Sequence, residues 1–465
     1  MTAHGRQVGG GKGAPARGRE PAGLKARRTA LEILLRVERE GAFADLLLGH
    51  RLRSLGEADR RLVTRLVLGT LAWKLRLDAE LARLCRRPLE ALDPELLALL
   101  RLGLFQLRFL DRVPAHAAVD SAVDLAARGG HRHSRGLVNA VLRRAAREGF
   151  VPAAKGSDAM GRLAVAYSHP RWLVEKFVAW FGGADAEAVM AANNEAAPTV
   201  ARLNLRRGQA AELIAMLDAQ GLKPSSTGRL PESCVVQGPG LLDSQGYRLG
   251  LYSVQSEASQ LVARMLAPEP GALVVDGAAA PGAKATHLAE IVGERGRVVA
   301  LDSRLSGLKQ LLRQALRLGH ANVLAVCADL GAGAPLEPGC SRYVLLDAPC
   351  TGLGTLREHP EIRWRLGPED AARMAELQGR LLHAAASLVA SGGVLVYAVC
   401  SLAPEEGVQV VRAFLDGNRR FRAAPPAQPV FAPWLNSDGF MLTRPDRGGL
   451  DGFFAARLER TGPAH

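Results

Sequence analysis

At 465 residues the chain is long enough for two or three domains, and with nearly half its residues apolar it can bury large cores. Lys and Arg number 60 against 46 Asp and Glu, a formal net charge of +14 that points to a polyanionic partner such as nucleic acid. No apolar run approaches the roughly 20 residues needed to cross a bilayer, and six scattered cysteines with no C-x-x-C pair argue against a zinc site or a disulfide framework.

The first 28 residues carry seven cations against one acid and no apolar segment, so residues 1–26 read as a disordered basic tail rather than a secretory signal. Without an export signal the compartment is reducing, and the cysteines are free thiols. Residues 27–150 read as all-helical. Leu31, Leu34, Leu35 and Val37 recur at helical spacing, and Gly56-Glu57-Ala58-Asp59 opens a second long stretch. Asp93-Pro94 places a capping residue before a proline at the first helical position. Pro114-Ala115 starts another helix, and Ser134 is expected to cap Arg135 to Arg147. The expectation is a bundle of about six helices.

Residues 151–250 read as a small linking α+β lobe. Thr199 to Leu205 and Ser233 to Val236 pattern as strands, with a helix from Gln209 to Gln220 between them. From residue 251 to 462 strands alternate with helices. Strands are expected at 271–276, 296–302, 323–327, 343–346 and 393–398, and helices near 286–292, 305–318 and 374–390. This alternation predicts a parallel, doubly wound Rossmann-like α/β sheet, whose ligands bind at the carboxyl ends of the strands.

The motifs fall at those ends. In VVDGAAAPGAKATHL, Val274 to Leu288, a strand closes on Asp276 and turns through small residues into a helix. Such residues let the backbone approach a ligand, and the helix start offers free N–H groups. Asp302 closes the next strand, placed to accept from ribose hydroxyls, and Asp329 is read as ending the third. LLDAPCTGLGTLREHPEIRW, Leu345 to Trp364, and VYAVCSLAPEEG, Val396 to Gly407, each put a cysteine just beyond a strand in the same cleft. Either cysteine alone reads as a small buried hydrophobe; together they call for chemistry.

DAPC at 347–350, CSLAPEE at 400–406, LDGFFAARLER at 450–460 and LYSVQSEASQLVA at 251–263 resemble the cytosine carbon-5 RNA methyltransferases. PAHAAVDSAV and SRGLVNAVLRR look like an RNA-binding NusB-like domain, and SHPRWLVEKF with NNEAAPTVARLN resembles the linking lobe. The combination is similar to bacterial 16S rRNA enzymes of the Sun/Fmu type. The chain departs from that pattern in its first loop, where Gly277, Ala278, Ala283 and Ala285 stand at the Leu, Cys, second Gly and Thr positions, and at Val399, where Thr is usual.

The resemblance implies S-adenosylmethionine as methyl donor, bound by Ala278, Ala279, Ala280, Pro281, Gly282, Ala283, Lys284, Asp302, Asp329 and Asp347. It implies Cys400 as nucleophile, Cys350 as the residue that promotes release, and Asp347 and Lys284 as partners of the base. A thiolate suits reversible covalent catalysis, and the target cytosine must be unpaired or flipped out. The implied protein is a cytoplasmic, monomeric enzyme acting on RNA, with small-subunit ribosomal RNA as the expected substrate and with no metal and no membrane. Rival readings are a tRNA methyltransferase of the same family, a DNA cytosine methyltransferase, and a non-catalytic RNA-binding ribosome assembly factor whose cofactor loop has decayed.

Overall fold

The computed structural model describes residues 23–149, 158–238 and 240–462. The expected basic tail lies mostly outside these residues. Its proposed end at 26 is too late, because a helix spans Leu24–Glu40 with Leu24 and Ala26 fully packed. Among the described residues, no helix is long and apolar enough to cross a membrane.

Residues 24–148 hold seven α-helices, one more than the periodicity suggests. The additional one, Ala44–Arg51, is a single short amphipathic pair of turns that is hard to read from spacing. Asp93 caps Pro94–Phe109 as expected, accepting from Glu95 N–H at 2.8 Å. Ser134 occupies the cap position of Arg135–Glu148 but makes no side-chain capping bond, because a 3₁₀ turn over Arg132–Ser134 runs directly into the helix. Phe105, Leu66, Leu100 and Leu142 form the centre of the bundle.

Three further helices, Ala159–Tyr167, Arg171–Phe181 and Gly183–Ala192, lead into a four-stranded antiparallel sheet. Its strands are β1 (Thr199–Leu203), β2 (Pro224–Ser226), β3 (Ser233–Val236) and β4 (Tyr252–Val254), in the order β2-β3-β1-β4. β4 lies beyond residue 250, where the lobe was expected to end. Residues 252–254 pair with β1 before the chain enters the helix Glu257–Leu266, so the two parts share this segment.

The second sheet contains β5 (Leu273–Asp276), β6 (Arg297–Asp302), β7 (Val323–Cys327), β8 (Ser341–Asp347), β9 (Val389–Val399), β10 (Phe421–Ala423), β11 (Met441–Thr443) and β12 (Phe453–Arg460). Its order is β10-β12-β9-β8-β5-β6-β7, with β11 beside β12. β5 to β9 are parallel. The sheet as a whole is mixed rather than all parallel, since β12 runs antiparallel to β9, β10 and β11. β11 returns to β12 through a short loop with no crossover helix, and only an antiparallel neighbour can be reached that way.

Alternate strand residues enter opposite cores. Val274, Tyr343, Leu345, Val394 and Val396 pack under the helices Glu257–Leu266, Ala283–Val292 and Leu305–Leu318. Val275, Val344, Leu346, Leu395 and Tyr397 pack under Asp370–Ser387 and Val408–Gly417. Strands buried on both faces explain their nearly continuous apolar runs. Strand order reverses between β5 and its neighbours β6 and β8, and the crevice at that point is the expected ligand position.

Candidate active site

The turn after β5 is held by three hydrogen bonds to its two neighbouring strands, β8 and β6. Gly277 N–H donates to Leu345 O at 2.8 Å, Ala279 N–H to Leu301 O at 2.8 Å, and Ala280 N–H to Asp302 Oδ2 at 3.0 Å. The Ala280–Pro281 peptide is cis. The left-handed angle of the turn belongs to Gly282, with φ 113°, and a Cβ there would sit 2.7 Å from Leu311 Cγ. Ala283 is the first residue of the following helix and carries no such angle, so alanine there introduces no backbone strain. Arg202 of β1, with no exposed surface, donates to Ala283 O at 2.7 Å and to Glu290 Oε1 at 2.7 Å, bracing the helix from the small lobe.

The loop therefore fits a nucleoside ligand. Its side chains are small, it opens at the strand-order reversal, and Asp276, 1% exposed, keeps Oδ1 without a partner among the described residues. Burial, reinforced by the charge of Asp347, pushes the Asp276 carboxyl up to about 7, against the opposing pull of Lys284.

Asp302 is buried with its two oxygens turned to Ala280 N–H and Arg304 N–H, so in this structure it anchors the loop. Asp329 departs from its expected place. It stands two residues past β7, is exposed, and caps the 3₁₀ turn Leu330–Ala332 by accepting from Gly331 N–H at 2.8 Å.

Asp347 is the last residue of β8, and its Oδ2 accepts from Lys284 Nζ at 2.7 Å. The same ammonium lies 5.1 Å from the centre of the Phe453 ring, a cation–π contact. Three residues on, Cys350 meets Cys400, the residue directly after β9, with their sulfurs 3.2 Å apart as free thiols. The hydrogen bond with Cys400, burial, and the charges of Cys400, Glu406 and Asp347 push the Cys350 thiol well up. Cys350 is thus held as a protonated thiol, and either sulfur of the pair can be the donor. The other four cysteines, Cys85, Cys234, Cys327 and Cys340, are dispersed among other elements.

Two features escaped the sequence reading. The carboxylate of Glu406, within the CSLAPEE segment, is fully buried and bonded to the residues that follow both cysteines. The segment Glu361 to Trp364 is a docking element. Arg363, with no exposed surface, donates to Asn194 Oδ1 at 2.8 Å, Ser168 O at 3.1 Å and Asn193 O at 3.1 Å, while Trp364 Nε1 donates to Leu71 O at 2.6 Å. Beside it a cleft of about 600 Å³ opens between the helical bundle and the second sheet's loops, lined by Arg60, Arg61, Arg65, Asn194, Arg357 and His359 among others.

Residues 263–459 match the family described as 16S rRNA methyltransferase RsmB/F. Residues 24–147 match the NusB family, and residues 169–242 match the ferredoxin-like domain of RsmF/B-like methyltransferases. The ribosomal RNA small subunit methyltransferase B of Thermus thermophilus is 40% identical over 439 residues, covering 93% of this chain and 97% of that one. That of Pseudomonas syringae pv. tomato is 37% identical over 411 residues, covering 86% and 89%. The crystal structure of PH0851 superposes with a TM-score of 0.80 at 27% identity, covering 94% of this chain and 99% of that one. NSun6 from Pyrococcus horikoshii, solved with SFG, gives a TM-score of 0.56 at 21% identity over 63% of this chain and 98% of its own, a likeness of fold.

Proposed function

The chain belongs to the RsmB/F family of 16S rRNA methyltransferases, and we propose that it methylates carbon 5 of a cytosine in small-subunit ribosomal RNA through a transient covalent bond from Cys400 to carbon 6. The observation that carries this reading is the 3.2 Å approach of Cys350 and Cys400 beside the Lys284–Asp347 pair. S-adenosylmethionine supplies an electrophilic methyl group, and the turn Gly277–Gly282, with Asp276 beneath it, is the place where this chain can hold it.

Carbon 5 of cytosine is a poor nucleophile. The Cys400 thiolate adds to carbon 6, which breaks the 5–6 double bond and turns carbon 5 into an enamine-like carbon that accepts the methyl group. Cys350, held protonated, donates a hydrogen bond that stabilises the Cys400 thiolate before attack. Asp347 hydrogen-bonds the cytosine ring, and Lys284 fixes that carboxylate. Loss of the carbon-5 proton and elimination of the Cys400 thiol then restore the aromatic ring and free the enzyme. Cys350 promotes this release. The exposed Arg61 and Arg65 on the wall of the cleft support an RNA substrate, since phosphates are gripped by such side chains.

The test uses two variants. Cys400→Ala abolishes transfer of a labelled methyl group to 16S rRNA, and Cys350→Ala accumulates a protein–RNA adduct that survives a denaturing gel. An active Cys400→Ala together with no adduct from Cys350→Ala overturns the role assignment. Bisulfite sequencing of a deletion strain loses one 5-methylcytosine from small-subunit rRNA; loss from tRNA instead moves the substrate to that class.

A further inference from the structure

Cys350 and Cys400 stand on loops that leave two different strands, and nothing covalent keeps their sulfurs together. Glu406 lies on the loop that carries Cys400 and reaches across to the loop of Cys350, with no exposed surface. Its Oε1 accepts from Thr351 N–H at 2.8 Å and from Gln378 Nε2 at 3.0 Å. Its Oε2 accepts from the hydroxyls of Thr351 and Ser401. Thr351 follows Cys350 and Ser401 follows Cys400, and their hydroxyls are also 3.1 Å from each other. Gln378 donates in addition to Pro349 O at 2.9 Å, and Tyr397 OH donates to Glu406 O at 2.6 Å. A buried carboxylate is costly and is retained where its oxygens are fully hydrogen-bonded. A carboxylate only accepts and has room for four such bonds, here three from the two loops and one from the helix residue Gln378.

We propose that Glu406 is a positioning residue for methyl transfer, a buried clasp that ties the loop of Cys350 to the loop of Cys400 and sets the distance between the two thiols. The proposal rests on the two-cysteine reading above for its catalytic consequence, but the clasp itself is open to a measurement that needs no methyl transfer. The negative charge of the clasp also acts on the pair, since it is one of the groups that favour the protonated Cys350 thiol. A displacement of about 1 Å at reacting groups can cost on the order of 10²-fold in rate.

In Glu406→Gln the amide oxygen can still accept from Thr351 N–H and Gln378, and the two hydroxyls can rotate to accept from its NH₂ group, so the fold is retained while the anionic clasp is lost. Glu406→Ala removes it entirely, and Ser401→Ala releases one loop from the other side. Each full-length variant is treated with diamide, which takes two thiol hydrogens, forms the Cys350–Cys400 disulfide and is reduced to the hydrazide. Peptide mapping follows the rate. The expected result is cross-linking slowed about 10-fold in Glu406→Ala and Ser401→Ala. In parallel, Glu406→Gln lowers kcat on 16S rRNA about 10-fold or more, with KM for RNA and affinity for S-adenosylmethionine within twofold of the parent. Unchanged cross-linking in both Glu406→Ala and Ser401→Ala overturns the clasp. Slowed cross-linking with unchanged kcat in Glu406→Gln overturns its catalytic role. Failure of the two-cysteine reading shows separately, as methylation by Cys400→Ala, and leaves the cross-linking result standing. Should Glu406→Gln not fold, Ser401→Ala carries both measurements.

Discussion

Lys284 Nζ donates to Asp347 Oδ2 across 2.7 Å, joining the helix after the β5 turn to the end of β8. The pair spans the two strands between which the strand order reverses, and it faces the Phe453 ring on β12. Lys284 is the cation nearest in effect to two carboxyl groups, since it also opposes the upward push on Asp276. Lys284→Met keeps the apolar stem and removes the charge. It is expected to lower the single-turnover methylation rate on the order of 10²-fold, the usual cost of losing one preorganised donor in a water-poor site. The thermal midpoint should move by only a few degrees. A rate within threefold of the parent would leave Lys284 no part in orienting Asp347.

Asp276 makes stability depend on pH. Its carboxyl, at about 7 in the fold against an ordinary 3.8, holds a proton between roughly pH 4 and 7 that the unfolded chain has released. The folded state therefore binds more protons in that window, and the residue's contribution falls as pH rises through it. Above pH 7 the loss is complete and levels off, at most about 4 kcal/mol for a shift of this size. Asp276→Asn, which keeps an acceptor in the same place, removes the dependence. The measurement is the difference in thermal midpoint between variant and parent without cofactor, which should widen in the variant's favour from pH 4.5 to pH 7.5. A difference flat across that range refutes the assignment.

Arg363 holds three parts of the chain together through a guanidinium with no exposed surface. Besides Asn194, Ser168 and Asn193, it reaches Leu356 O at 3.3 Å and Ala72 O at 3.4 Å in the helical bundle. Its partners are oxygens of carbonyls and an amide together with His169 Nδ1 at 3.5 Å, none of them a carboxylate, and burial lowers it to about 9. Arg363→Ala leaves several buried acceptors unpaired, each costing about 1–3 kcal/mol. The expected loss is at least about 3 kcal/mol at the junction, seen as a lower thermal midpoint and faster limited proteolysis. Arg363→Lys should recover part of it, since an ammonium supplies three donors but not the planar fork. Stability equal to the parent's in Arg363→Ala would mean that the junction does not depend on this cation.

What was legible in the sequence follows from the range of the interactions. Asp347 and both cysteines could be placed because each ends or follows an apolar strand, and Lys284 because it opens the helix after one; strand ends converge in a doubly wound sheet. Helix periodicity likewise marked most of the bundle. Asp329 was misplaced by the short loop after β7, where a carboxylate that looks strand-terminal caps the next turn instead. The clasp at Glu406, the bridge from Arg202 to Ala283 and the junction at Arg363 were not legible. Each is a buried polar side chain with partners far away in the chain, up to 291 residues for Arg363, and periodicity says nothing about such pairings. A charged residue inside a motif, as in PEIRW, was the only signal, and it does not distinguish a buried bridge from a solvated surface.

Gly282 bears the one positive backbone angle of the β5 turn. At φ 113° a side chain is strained whatever the space, and here the space is also taken, with Leu311 Cγ and Cβ at 2.7 and 2.9 Å from a built Cβ. Gly282→Ala must therefore shift either the turn or the helix Leu305–Leu318 that carries Leu311. Backbone strain of this kind costs about 1–3 kcal/mol, and it falls on the turn itself. Displacing it moves Ala279 and Ala280 away from Leu301 O and Asp302 Oδ2, which hold the loop open. The expected outcome is affinity for S-adenosylmethionine weakened at least 10-fold by calorimetry, with the diamide cross-linking rate of Cys350 and Cys400 unchanged because their loops lie on β8 and β9. Ala283→Gly is the control. Position 283 is the first residue of an α-helix with an ordinary backbone angle, so glycine there should leave affinity within twofold. Equal affinity in Gly282→Ala and the parent would show that this turn does not hold the methyl donor.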